Sequence, residues 1–412
     1  MWQPRAGAAT RDRVAPRGGT LTPVPFEFAT ATRIVFGPGS AAGAAPIIGA
    51  LGRRVLLVTG RDPERAARLA AALETVGVSR VSLTVPGEPT VDLVRHGTEL
   101  ARSAGCDTVV GFGGGSAIDT AKAVAAMLGN GGDVLEHLEV IGGGAPLERP
   151  SVPWVAIPTT AGTGSEVTRN AVLASPEHRV KVSLRSPRML ATVAIVDPEV
   201  THDLPPGPTA SSGLDALTQL IEPFTSSRAN PMTDAICREG IARAARSLRR
   251  AFESAGRSGS ADASAREDMS LAALFGGMAL ANAGLGAAHG FAAPIGGAFP
   301  APHGATCGRL LPIVLDASVR ALRLRDPGSA VLGRYDEVAR ILTGRPTATA
   351  ADAAAWLEGL VEDLGIPRLS AYGIGPSDIP DLVDRAAVAS SMQANPVRLA
   401  RDELVEILDR AL

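Results

Sequence analysis

The chain has 412 residues, with 40 Lys plus Arg against 42 Asp plus Glu and a formal charge of −2. That balance leaves no basic stripe for a nucleic-acid backbone, and no apolar run reaches the ~18 residues of a membrane span. Three scattered cysteines, Cys106, Cys237 and Cys307, form neither a CxxC pair nor a disulfide framework, so a cytoplasmic protein with an aliphatic core is expected.

Residues 1–25, with Arg5, Arg11, Arg13 and Arg17 against the single acid Asp12, read as a terminal extension. Strand and helix signals then alternate. VLLVTG at 55–60 is an apolar run ending in glycine, 63–76 has helical spacing, and VSLTV at 81–85 is a second strand. A helix over 91–104 leads to the strand TVVGF at 108–112, and WVAIPTT at 154–160 and TVAIVDP at 192–198 follow. Apolar, β-branched runs separated by amphipathic helices predict a parallel sheet covered on both faces. After Pro205-Pro206 the pattern becomes helical to the C-terminus, with breaks at prolines such as Pro223, Pro231, Pro294 and Pro302 and a polar connection at 254–264. The expected organisation is an α/β domain over 26–205 and an all-helical domain over 206–412.

Two loops carry chemistry. The strand at 108–112 runs into Gly113, Gly114, Gly115 and Ser116 and then a helix bearing Asp119 and Lys122. Consecutive glycines let backbone N–H groups approach a phosphate at a helix N-terminus, though a plain βα turn has the same composition. The strand ending at Thr159 and Thr160 runs into a Gly/Ser/Thr loop containing Thr163 and Ser165. Two such loops after parallel strands point to a dinucleotide crevice. Lys122 and Lys181 are the only lysines among the 40 basic residues. In so arginine-rich a chain they are read as positions where a compact ammonium is required, with a solvated strand residue as the plainer reading of Lys181.

In the helical half, Asp215 and Gln219 lie four apart on one predicted helix face, and His289 and His303 flank a Gly/Pro-rich turn. These four side chains have the chemistry to close around a divalent metal, although isolated histidines often serve only as core groups.

The motifs FGPGS at 36–40, GGGSAIDTAK at 113–122, PTTAGTGSE at 158–166, GLDALTQLIE at 213–222, and GLGAAHG with PHG at 284–304 resemble, in order and spacing, the iron-containing (group III) alcohol dehydrogenases. The resemblance implies a dinucleotide-binding α/β domain, a helical domain and a cleft between them, as in the dehydroquinate synthase-like superfamily. It implies NAD- or NADP-dependent interconversion of an alcohol and an aldehyde, and a homodimer as the form of assembly. By the same resemblance Asp215, Gln219, His289 and His303 hold Fe²⁺ or Zn²⁺, and His289 or His303 serves the reacting oxygen.

Two departures bear on that expectation. The family usually has histidine where this chain has Gln219, and many members have another where it has Ala293. A weakened metal site, or a metal-independent reductase resembling maleylacetate reductase, is therefore in view. A dehydroquinate synthase-type lyase is the third reading, but that class needs more basic residues for its phosphorylated substrate. Gly60 stands where NAD-preferring relatives often have Asp, which with Arg61 and Arg65 nearby leans toward NADP. Arg309 and Arg169 are read either as contacts to an anionic substrate tail, carboxylate or phosphonate, or as ion pairs.

Overall fold

A computed structural model describes residues 25–178, 180–256 and 261–412. Nearly all of the expected terminal extension, and residues 257–260 of the polar connection, lie outside the described residues.

The first half contains β1 (Arg33–Phe36), α1 (Ala44–Gly49), β2 (Arg54–Thr59), α2 (Ala67–Thr75), β3 (Ser79–Thr84), α3 (Val91–Ser103), β4 (Thr108–Gly113), α4 (Gly115–Asn130), α5 (Val134–His137) and β5 (Trp154–Pro158). It ends with β6 (Asn170–Ser175), β7 (Val180–Arg185) and β8 (Val193–Val196). Six strands form a parallel sheet in the order β1-β8-β5-β4-β2-β3, while β6 and β7 pair as a separate antiparallel hairpin. The sheet is buried on both sides because alternate residues feed different cores. Leu56 and Val58 pack with α3 and α4, whereas Val55 and Leu57 pack with α1 and α2. β1, a four-residue edge strand without clear alternation, escapes the sequence pattern and is defined by pairing with β8.

This order places a switch between β2 and β4. From β2 the chain moves outward to β3 through α2 on one face, then returns across the other face through α3 to β4. The carboxyl ends of β2 and β4 therefore diverge into a crevice, the position where open α/β sheets bind ligands.

The second half is helical: α6 (Pro206–Thr225), α7 (Pro231–Glu253), α8 (Ala263–Ala283), α9 (Ala287–Ala298), α10 (His303–Arg325), α11 (Ala330–Thr343), α12 (Ala350–Asp363), α13 (Ile379–Ala387) and α14 (Arg401–Ala411). Pro206 opens α6, where its missing N–H costs nothing. Pro223 and Pro294, expected to break helices, instead lie inside α6 and α9. Burial of the neighbouring apolar residues Ile221, Phe224, Phe291 and Ile295 offsets the lost backbone bond. α8 and α9 meet at 99° across residues 284–286, and no single described helix is long and apolar enough to cross a membrane.

The two halves touch closely where the loop after β5 meets α8. Gly164 adopts φ +58°, and a Cβ on it would lie 2.4 Å from Gly277 Cα. Only glycine at both positions allows this backbone contact.

Candidate active site

The crevice is lined first by backbone. Gly60 follows β2, and a Cβ on Gly113 would sit 3.2 Å from Gly60 N. The first residues of α4 lie against the second loop: a Cβ on Gly114 would be 3.3 Å from Thr160 Cγ2, and one on Gly115 would be 2.8 Å from Thr163 Cγ2. Thr159 N donates to Gly113 O at 2.8 Å, tying the two loops together. Thus Gly60, Gly113, Gly114, Gly115, Ser116, Thr159, Thr160 and Thr163 gather at the α4 N-terminus. Its first N–H groups have no intrahelical acceptors and are free to meet an anion.

Asp119, Lys122 and Ser165 have a different task from the direct cofactor contact expected of them. The Lys122 side chain is fully buried, and its ammonium donates to Ser165 Oγ at 3.0 Å, Thr168 Oγ1 at 2.8 Å and Asn170 O at 2.6 Å. An ammonium has three donors, and all are used. Asp119 accepts from Ser165 Oγ and, at 2.9 Å, from Val172 N. The network straps the second loop and β6 to α4, so it shapes the cradle from behind. Burial pushes the Lys122 ammonium below its ordinary pKa, against the pull of Asp119 and Glu166.

Burial likewise raises the neighbouring Glu166 carboxyl to about 7, only partly countered by its own backbone hydrogen bond and Lys122. The folded state holds this proton up to about 7, while the unfolded chain releases it near 4.5. The stabilisation is therefore complete below the unfolded value and fades as pH rises through the folded one. Glu166→Gln should raise the melting temperature relative to wild type by ~2 °C or more near pH 8, with a smaller gain near pH 5. Equal gains at both pH values would reject a buried neutral carboxyl.

Lys181 is tied to Glu88, with Nζ 3.1 Å from the carboxylate, and its Nζ would lie 3.4 Å from a Cβ on Gly296 of α9. Arg61 donates to Pro86 O at 3.0 Å and Arg65 to Val200 O at 2.7 Å.

Arg309 is a correction to the expected substrate contact. Its guanidinium donates to the carbonyls of Ile366 and Pro367, so it clamps α10 to the segment after α12. Six residues along a helix turn the side chain by ~600°, well away from His303. Arg169 sits where the second loop enters β6, with its carbonyl accepting from Ser186 N at 2.9 Å.

In the helical half, Asp215, His289, His303 and Cys307 each offer a ligand atom, all within 4.8 Å of one another. His289 Nε2 is 3.3 Å and His303 Nε2 3.8 Å from Asp215 Oδ1. Cys307 Sγ is 3.7 Å from His303 Nε2. Glu222, two turns beyond Asp215 on α6, accepts from Ala288 N at 2.7 Å and contacts His289 Nδ1 at 2.6 Å. Those contacts fix the ring so that Nε2 faces the cluster. The Asp215 and His289 side chains are buried, whereas the His303 side chain is 44% exposed, making it the open edge.

The cluster's charges interlock. Although burial opposes it, the Cys307 thiol and the carboxylates raise His289 well above the ordinary imidazole range. Facing Cys307 first, His303 is pushed up to about 9. The two imidazoles hold the Cys307 thiol and the Asp215 carboxyl below their usual values despite burial. A divalent cation fits this set of one carboxylate, two imidazoles and a thiol, all able to present lone pairs to one point. Gln219 takes a different position from the ligand expected of it. Its amide helps hold the Asp215 carboxyl low, while Oε1 is buried without a hydrogen-bond partner and would lie 3.2 Å from a Cβ on Gly276.

Sequence reasoning missed Cys307 and Glu222. Both were signalled by helical phase: Cys307 is one turn after His303, and Glu222 is two turns after Asp215.

The cradle and the cluster are linked through the start of α6. A Cβ on Gly162 would lie 2.6 Å from Ser212 Cβ, and one on Gly304 would lie 2.1 Å from Ser211 O and 3.0 Å from Asp215 Cβ. One turn of α6 thus separates the second loop from the metal-ligand set.

Residues 31–198 match the family described as iron-containing alcohol dehydrogenase, and residues 209–412 match the C-terminal domain of the Fe-containing alcohol dehydrogenase family. The chain is 35% identical over 329 residues to alcohol dehydrogenase 4 of Schizosaccharomyces pombe, covering 80% of this chain and 74% of that protein. It is similar to the crystal structure of a 1,3-propanediol oxidoreductase, with a TM-score of 0.85 and 32% identity over 94% of this chain and all of that one. A sulfoacetaldehyde reductase from Bifidobacterium kashiwanohense, solved in complex with NAD⁺, matches with a TM-score of 0.81 and 27% identity, covering 94% of this chain and 99% of that chain.

Proposed function

The chain belongs to the iron-containing alcohol dehydrogenase family, and from that premise we propose that it interconverts a small aldehyde and its primary alcohol by hydride transfer with a nicotinamide dinucleotide. The observation that carries this reading is the close coupling of an anion cradle at the α4 N-terminus to a four-donor cluster through one turn of α6. When bound, the nicotinamide supplies the hydride and an Fe²⁺ or Zn²⁺ ion supplies a Lewis acid for the carbonyl oxygen.

The protein's own part is position and proton. Backbone N–H groups of Gly115 and Ser116, flanked by Gly113, Gly114, Thr159, Thr160 and Thr163, bind the pyrophosphate. Asp119, Lys122 and Ser165 hold the second loop in place for it. Asp215, His289 and His303 would hold the cation, with Glu222 orienting His289. The aldehyde approaches on the His303 side, the exposed edge of the cluster. As the carbonyl carbon gains a hydride its oxygen gains charge, and the proton that completes the alcohol reaches it from the open, His303 side of the cluster.

Gly60 leaves open space at the end of β2, room for a ribose 2′-phosphate, so NADPH is accepted at least as readily as NADH. Arg169, beside the second loop, is the basic residue that would meet an anionic tail. The likeness to a sulfoacetaldehyde reductase supports an acidic aldehyde as substrate. A second reading, reduction without a metal, is favoured by Gln219, whose buried oxygen meets α8 and has no hydrogen-bond partner; in that case His303 would donate the proton to the alkoxide.

The test is NADH and NADPH oxidation against a panel of neutral and acidic aldehydes, before and after chelation and with Fe²⁺ or Zn²⁺ restored. Chelation should lower the rate at least about tenfold and either metal should restore it. Turnover of no aldehyde rejects the reaction; full turnover after verified metal removal selects the metal-independent reading. An NADH preference above about tenfold in kcat/KM rejects the cofactor assignment.

A further inference from the structure

We infer that Cys307 is the fourth protein ligand of the metal site, and that Asp215, His289, His303 and Cys307 together form a thiolate-containing, tetrahedral donor set that selects Zn²⁺ over Fe²⁺. This rests on the metal-site reading above and changes its ligand set and its metal.

The geometry leads there in two steps. Four ligands at ~2.0–2.3 Å from a tetrahedral ion stand ~3.3–3.7 Å from one another. The carboxylate and His289 nitrogen are 3.3 Å apart, the two donors His303 Nε2 and Cys307 Sγ are 3.7 Å apart, and His303 Nε2 to Asp215 Oδ1 is 3.8 Å. These three separations are close to the edges of such a tetrahedron, the remaining pairs lie within 4.8 Å, and Sγ stands where its fourth corner would be. Helix phase explains how: Cys307 lies four residues after His303 on α10, so both face α6 and α9, and Gly304 and Gly308 between and beside them pack α10 closely on α6 at Asp215 and Leu214.

The second step concerns the residue that would otherwise hold that corner. Gln219 is one turn from Asp215 and 3% exposed, yet its Oε1 faces Gly276 of α8 and finds no hydrogen-bond partner. Turning the amide over would place its oxygen against the Asp215 carboxylate, acceptor facing acceptor. The thiol has no such conflict. Its near contact in the cluster is the His303 imidazole, with His289 and Asp215 completing the set, and its nearest alternative use, a disulfide, is absent because Cys106, Cys237 and Cys307 are all free. A thiolate with two imidazoles and one carboxylate is a softer set than one built from imidazole, carboxylate and carboxamide, and soft sulfur favours Zn²⁺ and Co²⁺ over Fe²⁺.

The experiment is reconstitution of the chelated full-length protein with Co²⁺ alone, read by absorption spectroscopy. Wild type should show a near-ultraviolet sulfur-to-cobalt charge-transfer band with intense visible bands of tetrahedral coordination. Cys307→Ser, nearly isosteric, should lose the charge-transfer band and bind Zn²⁺ at least ~10–100-fold more weakly in a chelator competition. Gln219→Ala should keep the band and stay within about threefold of wild type in Zn²⁺ affinity. In a mixed Zn²⁺/Fe²⁺ reconstitution, elemental analysis should find mainly zinc in wild type.

A wild-type spectrum without a sulfur band overturns the assignment, whether or not Cys307→Ser folds. A Gln219→Ala variant that loses metal as completely as Cys307→Ser, or an iron-filled wild type from the mixed reconstitution, overturns it too. A sulfur band in a protein that reduces no aldehyde would leave this ligand set standing and reject the proposed reaction instead.

Discussion

Asp215→Ala is expected to lower kcat/KM for aldehyde reduction by about a thousandfold or more and to leave the purified protein without stoichiometric metal. The reason is its position as the hub of the cluster. Its Oδ1 is 3.3 Å from His289 Nε2 and 3.8 Å from His303 Nε2, and it is the one carboxylate among the four donors. Removing it leaves two buried or half-buried imidazoles without their anion and deletes the only hard donor of the set. Cation binding and the placement of both imidazoles fail together, which is why the loss exceeds that of a single hydrogen bond. Glu222→Ala, which only releases His289 Nδ1 and Ala288 N, should cost less, ~10–100-fold. Steady-state kinetics with elemental analysis and circular dichroism on the same samples check this. A folded Asp215→Ala retaining more than about a tenth of wild-type kcat/KM would remove the cluster from the reaction.

Lys122→Ala is expected to destabilise the fold by ~3–5 kcal/mol and, where enough protein survives, to raise the KM for the dinucleotide. Ser165 Oγ, Thr168 Oγ1, Asn170 O and Asp119 would all lose their shared cation inside the protein. Water has little access to replace it, because the ammonium is fully buried and 6.0 Å from the Trp154 ring. Lys122→Arg should not rescue, since a guanidinium is larger and planar and the site has one converging point of acceptors. Lys122→Met keeps the stem and removes only the charge and donors, separating lost packing from lost hydrogen bonds. Denaturant midpoints and cofactor titrations read these effects. A Lys122→Ala protein within ~1 kcal/mol of wild type would show that the strap does not hold the loop.

This bears on the scarcity of lysine. Lys122 meets converging acceptors that suit a compact ammonium and joins α4 to the second loop and β6, whereas Lys181 pairs with Glu88 beside α9.

The sequence by itself determined what is local. Apolar, β-branched runs followed by helix spacing, with glycines after β2 and β4 and a Gly/Ser/Thr loop after β5, specified the parallel sheet and the crevice at its carboxyl end, because a βα turn and its helix N-terminus are contiguous in the chain. The order of motifs specified the family, and spacing brought Asp215, Gln219, His289 and His303 forward as a group, of which all but Gln219 meet in the cluster. Tertiary structure alone decided which side chains of equal promise face the site. Lys122 reaches acceptors more than 40 residues away in the chain, which no helix pattern contains. The Gln219 oxygen meets α8, a direction set by how α6 packs. On α10, Cys307 and Arg309 are two residues apart, yet one faces the metal donors and the other the carbonyls after α12. The physical reason is rotation: about 200° of helix separates them, and only packing fixes which half of that circle is the interior.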